Sequence, residues 1–278
     1  MTMTLPEFLD WEPTRATLHA YAKVIGTVPR ALAEPHPKWW HVSLKVAPEG
    51  LATDRFRPLG GSDFTLQLLM DLVDHSIKVY KDDTLSYQVS MTEGLSAVQL
   101  ADQLEDHLRS LGVNVELERT KFEGAVIGDY DLSVVEAYFR AVSAVDEVIK
   151  EVRESLDGDI GIVQLWPHNF DLALEWFSPK MVQYEHNGEI SETPAQINFG
   201  FAPGDSSHPS PYFYSCPLPF DEDAYTELPL PSGARWFQAS WEGSILPYDT
   251  LVRESDFRSQ LKDYFLTVYR LASPLLSE

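Results

Sequence analysis

The sequence predicts an α+β protein, mainly antiparallel strands covered by about four principal helices, with two halves built alike. Three observations carry this reading. Apolar residues alternate with period two in runs joined by connections too short for parallel neighbours. Four longer stretches repeat apolar residues at spacings of three and four. The order helix, several strands, helix occurs twice along 278 residues. We therefore expect one domain over 1–278, with pseudo-halves of about 14–118 and 131–273. No residue-level repeat accompanies the repeated order.

The first helix is expected over Arg15 to Ile25, capped by Thr14, with Leu18, Tyr21, Ala22 and Ile25 on one face, and stopped by Gly26 and Pro29. After the Glu34-Pro-His-Pro-Lys loop, Trp40, Val42, Leu44 and Val46 alternate with Trp39, His41, Ser43 and Lys45, the period of a half-buried strand that Pro48 and Gly50 close. A meander follows through Phe64–Leu72, Ile77–Val79 and Leu85–Val89, turning at Asp74-His75 and Lys81-Asp82-Asp83. Ser96 and Gln99 form a capping-box pattern for a helix with the stripe Ala97, Ala101, Leu104, Leu108 and Leu111. Gly112 ends it, and Val113, Val115 and Leu117 read as a strand. Residues Glu118 to Asp131 hold the boundary between the halves. Ser133 and Glu136 form a second capping box, before a long helix from Val135 to Leu156 that Gly158 ends. Strands are then expected at Ile160–Trp166, Phe170–Phe177, Gln196–Phe201, Tyr212–Cys216 and Arg235–Trp241, and a last helix from near Ser255. Pro203 to Pro231, with seven prolines, reads as irregular loops around one short strand.

Composition narrows the function. The chain carries 21 Lys and Arg against 43 Asp and Glu, a formal charge of −22. Such a chain repels phosphate backbones and anionic lipid, so neither nucleic acid nor a membrane is an expected partner. The single cysteine, Cys216, excludes an internal disulfide framework and any multi-cysteine metal site. Pro217 follows it and no basic residue lies near in sequence, so it reads as inert. The opening Met1-Thr-Met-Thr-Leu-Pro-Glu has no basic start or apolar run, which predicts a cytoplasmic protein. Phosphate-loop, dinucleotide, zinc-protease and nucleophile-elbow signatures are all missing. No cofactor is expected, and oligomeric state is open.

The densest candidate chemistry is Trp166-Pro-His-Asn-Phe-Asp-Leu-Ala-Leu-Glu-Trp. Pro167 interrupts two apolar strands and places His168 and Asn169 in a turn. Asp171 could orient the His168 imidazole or cap the turn. A metal would need His41, His168 and a carboxylate to converge. No metal site is expected, because no ligand pair has helical spacing. Trp39 and His41 share one side of their expected strand and line a pocket if that side does; otherwise they are ordinary cover. Asn198 and Gly200 share one face of Ile197–Phe201, and a glycine inside a strand marks a bulge or a close approach. Tyr212 and Tyr214 alternate against Phe213 and either ring a pocket or sit on a sheet face.

Trp39-Trp-His-Val-Ser-Leu-Lys-Val, Leu165-Trp-Pro-His-Asn-Phe-Asp-Leu-Ala-Leu, Asn198-Phe-Gly-Phe, Pro211-Tyr-Phe-Tyr and Leu246-Pro-Tyr-Asp together resemble the signatures of a bacterial family, one of the domains of unknown function. The resemblance covers nearly the whole chain and implies one full-length domain. The family pattern often carries a second His where this chain has Asn169. It implies no reaction. From the residues, the preferred function is binding of a small apolar or cationic molecule in an aromatic-lined acidic cleft. The ligand contacts would be Trp39, His41, Trp166, His168, Asn198, Tyr212 and Tyr214. A hydrolase or metal-dependent enzyme built on His168, Asp171 and His41 is the alternative, and a structural or protein-interaction role the third.

Overall fold

The computed structural model describes residues 4–277 apart from 9, 187–188, 206–207 and 253. In chain order the elements are α1 (Trp11–Leu32), β1 (Leu44–Ala47), β2 (Gly50–Thr53), β3 (Leu66–Asp71), β4 (Ser76–Lys81), β5 (Thr84–Ser90), α2 (Ala97–Ser110), α3 (Leu132–Arg153), β6 (Asp159–Ile160), β7 (Gln164–Trp166), β8 (Asp171–His186), β9 (Glu189–Ala202), β10 (Tyr212–Leu218), α4 (Glu222–Tyr225), β11 (Arg235–Gln238), β12 (Glu242–Pro247) and α5 (Phe257–Ser277). Among the described residues the ladders joining these strands are antiparallel, and four of the helices are long, so the protein is α+β. No helix among the described residues is long and apolar enough to cross a membrane.

The chain packs as two compact units. One contains residues 8–140 and 164–170, the other residues 1–7, 141–163 and 171–278. In the first, β7, β1, β2, β3, β4 and β5 pair in that order. Helix α1 buries Leu18, Tyr21, Ala22, Ile25, Val28 and Leu32. It is longer at both ends than the sequence suggests. Pro29 stays inside it because the last turn still closes, with Ala33 N–H donating to the Pro29 carbonyl at 2.8 Å. Thr14 does not cap it. The Thr14 hydroxyl instead donates to Asp129 O at 3.2 Å and accepts from Asp131 N–H at 3.1 Å, tying the 128–131 loop to the helix.

Ser96 and Gln99 make the expected reciprocal cap of α2, with bonds of 3.1 and 2.9 Å. The second capping box is corrected. Asp131 holds the start of α3, its Oδ1 accepting from Ser133 N–H at 2.8 Å and Val134 N–H at 3.2 Å. The strand expected at Val113–Leu117 is irregular backbone. Val113 and Leu117 are nonetheless buried, so the alternation reports burial without a ladder.

In the second unit β11, β12, β10, β9 and β8 pair in that order, and β6 adds to β8. Helix α5 covers one face of this sheet, where Phe265 meets Phe199 edge-on at 5.7 Å. Arg258 on α5 donates to Glu147 at 2.7 Å and Glu151 at 2.6 Å on α3. The Leu246-Pro-Tyr-Asp motif begins at the end of strand β12, and Tyr248 inserts its buried ring against Phe201 and Phe213.

Candidate functional site

One face of α1 carries Lys23, Gly26, Thr27 and Arg30 at i, i+3, i+4 and i+7, so these four lie along one stripe. With Val42, Lys121, Pro167 and His168 they line a cavity of about 280 Å³. Gly26 makes the wall possible. A Cβ there would stand 2.8 Å from Pro167 Cγ, so the proline ring seats where the helix has no side chain. The Trp166-Pro-His-Asn turn is closed by Phe170 N–H donating to the Trp166 carbonyl at 2.8 Å. Phe170, at φ 61, stacks its ring between His19 at 5.6 Å and Tyr138 at 5.3 Å. His19 Nε2–H donates to the His168 carbonyl at 3.0 Å, which fixes the turn to α1.

The second wall corrects the strand expected at Trp39–Val46. Only Leu44–Ala47 is strand; Trp40–Val42 is a turn of 3-10 helix, and Trp39 is left-handed at φ 59. Ring contacts hold that conformation. His36 stacks on Trp40 at 4.5 Å and Trp39 on His41 at 5.6 Å, while His36 N–H donates to His41 Nδ1 at 3.1 Å. Trp39 is 52 % exposed, so it is not core. Its ring carries the Arg30 guanidinium at 4.8 Å, a cation–π contact that positions Arg30 beside the cavity. Trp166 meets His168 edge-on at 5.8 Å. Of the residues picked from sequence, His168 lines the cavity, Trp39 contacts its lining residue Arg30, and His41 and Trp166 contact Trp39 and His168.

The lining is basic in an acidic protein. Glu118 shares its carboxylate between Arg30 Nε at 2.9 Å and Lys121 Nζ at 3.3 Å. Lys23 is half-buried, and among the described residues no carboxylate pairs with it. Burial lowers the Lys23 pKa. His41 is lowered too, by burial first and then by His36 and Arg30. Lys23, Gly26, Thr27, Arg30, Glu118 and Lys121 were not picked out from sequence, where the cations look scattered. The available signal was the helical stripe with a glycine at its centre.

Asp171, Asn198, Tyr212 and Tyr214 gather in the other unit. The register Ala173↔Gly200↔Tyr214 puts Gly200 directly under the Tyr214 ring. A Cβ on Gly200 would stand 2.4 Å from Tyr214 Cζ, so the close approach expected at this glycine is made by a tyrosine of the same sheet. The Tyr214 hydroxyl donates to Asp171 Oδ2. Burial and the Asp171 charge push its pKa well up. Tyr212 donates to Asp205 Oδ2 at 3.2 Å, and Trp241 stacks on its ring at 6.0 Å. Cys216 is pushed up to about 12 by burial and Asp171, which keeps it a thiol at neutral pH. Here each tyrosine hydroxyl donates to a carboxylate, whereas the Asn198 side-chain oxygen is buried with no hydrogen-bond partner among the described residues. Among the described residues no three His, Cys, Asp or Glu side chains gather as a metal-holding set.

His19 makes the turn pH-sensitive. Burial first, then the Lys23 charge, lowers its pKa from 6.5 to about 4. The unfolded chain takes up this proton as pH falls through 6.5, while the folded chain resists until about 4. The contribution is therefore complete above that range and lost as pH falls, by on the order of 2–3 kcal/mol at pH 4. His19→Gln, which keeps a donor for the His168 carbonyl, should unfold in urea with that much less stability lost between pH 7 and pH 4. An unchanged pH profile would contradict the assignment.

Fold and site together define an antiparallel α+β protein with a cation-lined pocket formed by a helix stripe and a proline turn. The chain belongs to the family of unknown function DUF5996, which matches residues 4–277. No curated protein matches it, and no solved structure does.

Proposed function

We propose that this protein binds a small anionic molecule in the pocket between the Lys23–Arg30 stripe and the Trp166-Pro-His-Asn turn. One observation carries the reading: the half-buried Lys23 lines a cavity walled by Gly26, Val42 and Pro167 and, among the described residues, its side chain has no carboxylate partner. A cation removed from water without a counter-charge is costly, and an anion in the cavity restores what water no longer supplies. The charge of −22 disfavours anions at long range, so selectivity rests on this local lining. The reading keeps the small-molecule binding role expected from the sequence and reverses the charge of the ligand. A cytoplasmic bacterial protein without nucleic-acid or membrane partners belongs to the same reading, supported by the overall charge.

The test is a fluorescence titration with the anion 8-anilinonaphthalene-1-sulfonate and, separately, the cation phenyltrimethylammonium. The anion should bind and quench tryptophan emission. Lys23→Met should weaken it about tenfold, as expected for loss of one charge-assisted bond. Binding of the cation alone, or an affinity for the anion unchanged in Lys23→Met, would overturn the proposal and return weight to the aromatic cluster around Tyr212 and Trp241.

A further inference from the structure

We infer that the ligand is a small dicarboxylate, with two anionic ends separated by an apolar middle; this rests on the anion-binding reading above. The cations of the pocket fall into two groups. Lys23 stands at one end, next to His168, because His19, one helical turn before Lys23, donates to the His168 carbonyl at 3.0 Å. Arg30 and Lys121 stand at the other, brought together by the Glu118 carboxylate at 2.9 and 3.3 Å. Seven residues of helix separate the Cα atoms of Lys23 and Arg30 by about 10 Å at 1.5 Å per residue.

Between the two groups the lining offers little to a polar ligand. Gly26 has no side chain. Thr27 is buried and gives its hydroxyl to the Val24 carbonyl at 2.6 Å. Val42 and Pro167 complete the wall. A single-headed anion would satisfy one group and leave the other as it is. A two-headed one satisfies both, and its hydrocarbon middle meets apolar surface. The cavity of about 280 Å³ suits a compact molecule of this kind.

Glu118 indicates the type of head group. It is a carboxylate already held between Arg30 and Lys121, and burial, the largest single influence, raises its pKa but is outweighed by the hydrogen bonds from Arg30, Lys121 and Thr120 and the Lys121 charge together, so the net shift is downward. Among the described residues Arg30 donates to Glu118 through Nε, and its terminal nitrogens donate to no carboxylate. A ligand carboxylate can be received on that outer edge of the guanidinium, with Trp39 holding the plane from its face at 4.8 Å.

Isothermal titration with adipate and hexanoate, which share a chain length and differ by one carboxylate, tests this on the full chain. Adipate should bind about tenfold or more tighter, because its second head binds at high effective concentration. Lys23→Met and Arg30→Met should each reduce adipate to the affinity of hexanoate, with circular dichroism unchanged. Should Arg30→Met fail to fold, Arg30→Lys serves instead. It keeps the charge and loses the two-pronged outer edge of the guanidinium, so adipate should still weaken toward hexanoate, whereas an unchanged adipate affinity would overturn the inference. Equal affinity for the two acids overturns the two-ended ligand and leaves the anion pocket standing. Binding of neither acid, together with no binding of the anilinonaphthalene sulfonate, overturns both.

Discussion

Lys78→Met should destabilise the protein by about 3–5 kcal/mol, the cost of leaving a buried charge without its partner. Lys78 is 8 % exposed and donates to Asp71 Oδ2 at 2.7 Å and to Asp74 Oδ2 at 2.6 Å. Asp71 is 2 % exposed, and its other oxygen caps the β3–β4 turn by accepting from Val73 N–H and Asp74 N–H at 3.0 and 2.7 Å. Burial opposes the charge on Lys78, but the bonds to the two aspartates outweigh it and raise its pKa. Methionine fits the space and abandons Asp71, whose carboxylate is then stabilised by the turn amides alone. Adding Asp71→Asn to Lys78→Met should recover part of the loss, since the amide is neutral and still accepts from the turn. Urea midpoints at constant slope measure both. A loss below about 1 kcal/mol for the single variant would show the pair to be solvated in effect.

Gly200→Ala is the second large effect, about 2–4 kcal/mol. Its methyl group would lie 2.4–2.5 Å from three atoms of the Tyr214 ring and hydroxyl. The ring is held by its bond to Asp171 and by Trp241 edge-on at 6.2 Å, so it cannot yield without giving up one of them. Overpacking costs about 1–3 kcal/mol, and a lost hydrogen bond to a charged group about 1.5–3. Tyr214→Phe keeps the ring and loses only the bond, so it should cost less than Gly200→Ala. The reverse order, or a Gly200→Ala protein as stable as the wild type, would mean that the glycine is not there to seat this ring.

These two positions show what a sequence exposes and what it hides. The glycine inside Ile197–Phe201 signals a close approach, but the approaching group comes from a strand fourteen residues further on, and only the register names it. The Ser96–Gln99 cap is legible because all its atoms lie within one helical turn. Asp131 displaced Ser133 as the cap of α3 because two residues with suitable oxygens compete there, and the backbone path of the 128–131 loop, held by the hydroxyls of Thr14 and Thr17, decides between them. Alternation failed at Trp39–Val42 for a similar reason. Stacked His36, Trp39, Trp40 and His41 rings and the Arg30 guanidinium stabilise a tight turn whose local sequence also suits a strand.

The site was half legible. Trp39, His41, Trp166 and His168 stand out as unusual residue types; His168 lines the cavity, and the other three contact residues beside it. Its charge did not stand out. Lys23 and Arg30 look like the solvated side of an amphipathic helix, and Lys121 arrives from ninety-one residues beyond Arg30. Overall charge points to a cationic ligand, whereas basic groups gathered around one cavity, the half-buried Lys23 among them, support the proposed anion. The proposal gives the local lining more weight because a pair in a partly desolvated site interacts several-fold more strongly than charges spread over a wet surface.

The most direct test of the anion pocket is a crystal of the full chain soaked in sodium selenate, with data collected at the selenium edge. The account predicts an anomalous peak in the cavity within hydrogen-bonding distance of Lys23 Nζ, and its disappearance in crystals of Lys23→Met. Selenate bound only elsewhere, or a Lys23 side chain turned out of an empty cavity onto a neighbouring carboxylate, would contradict it.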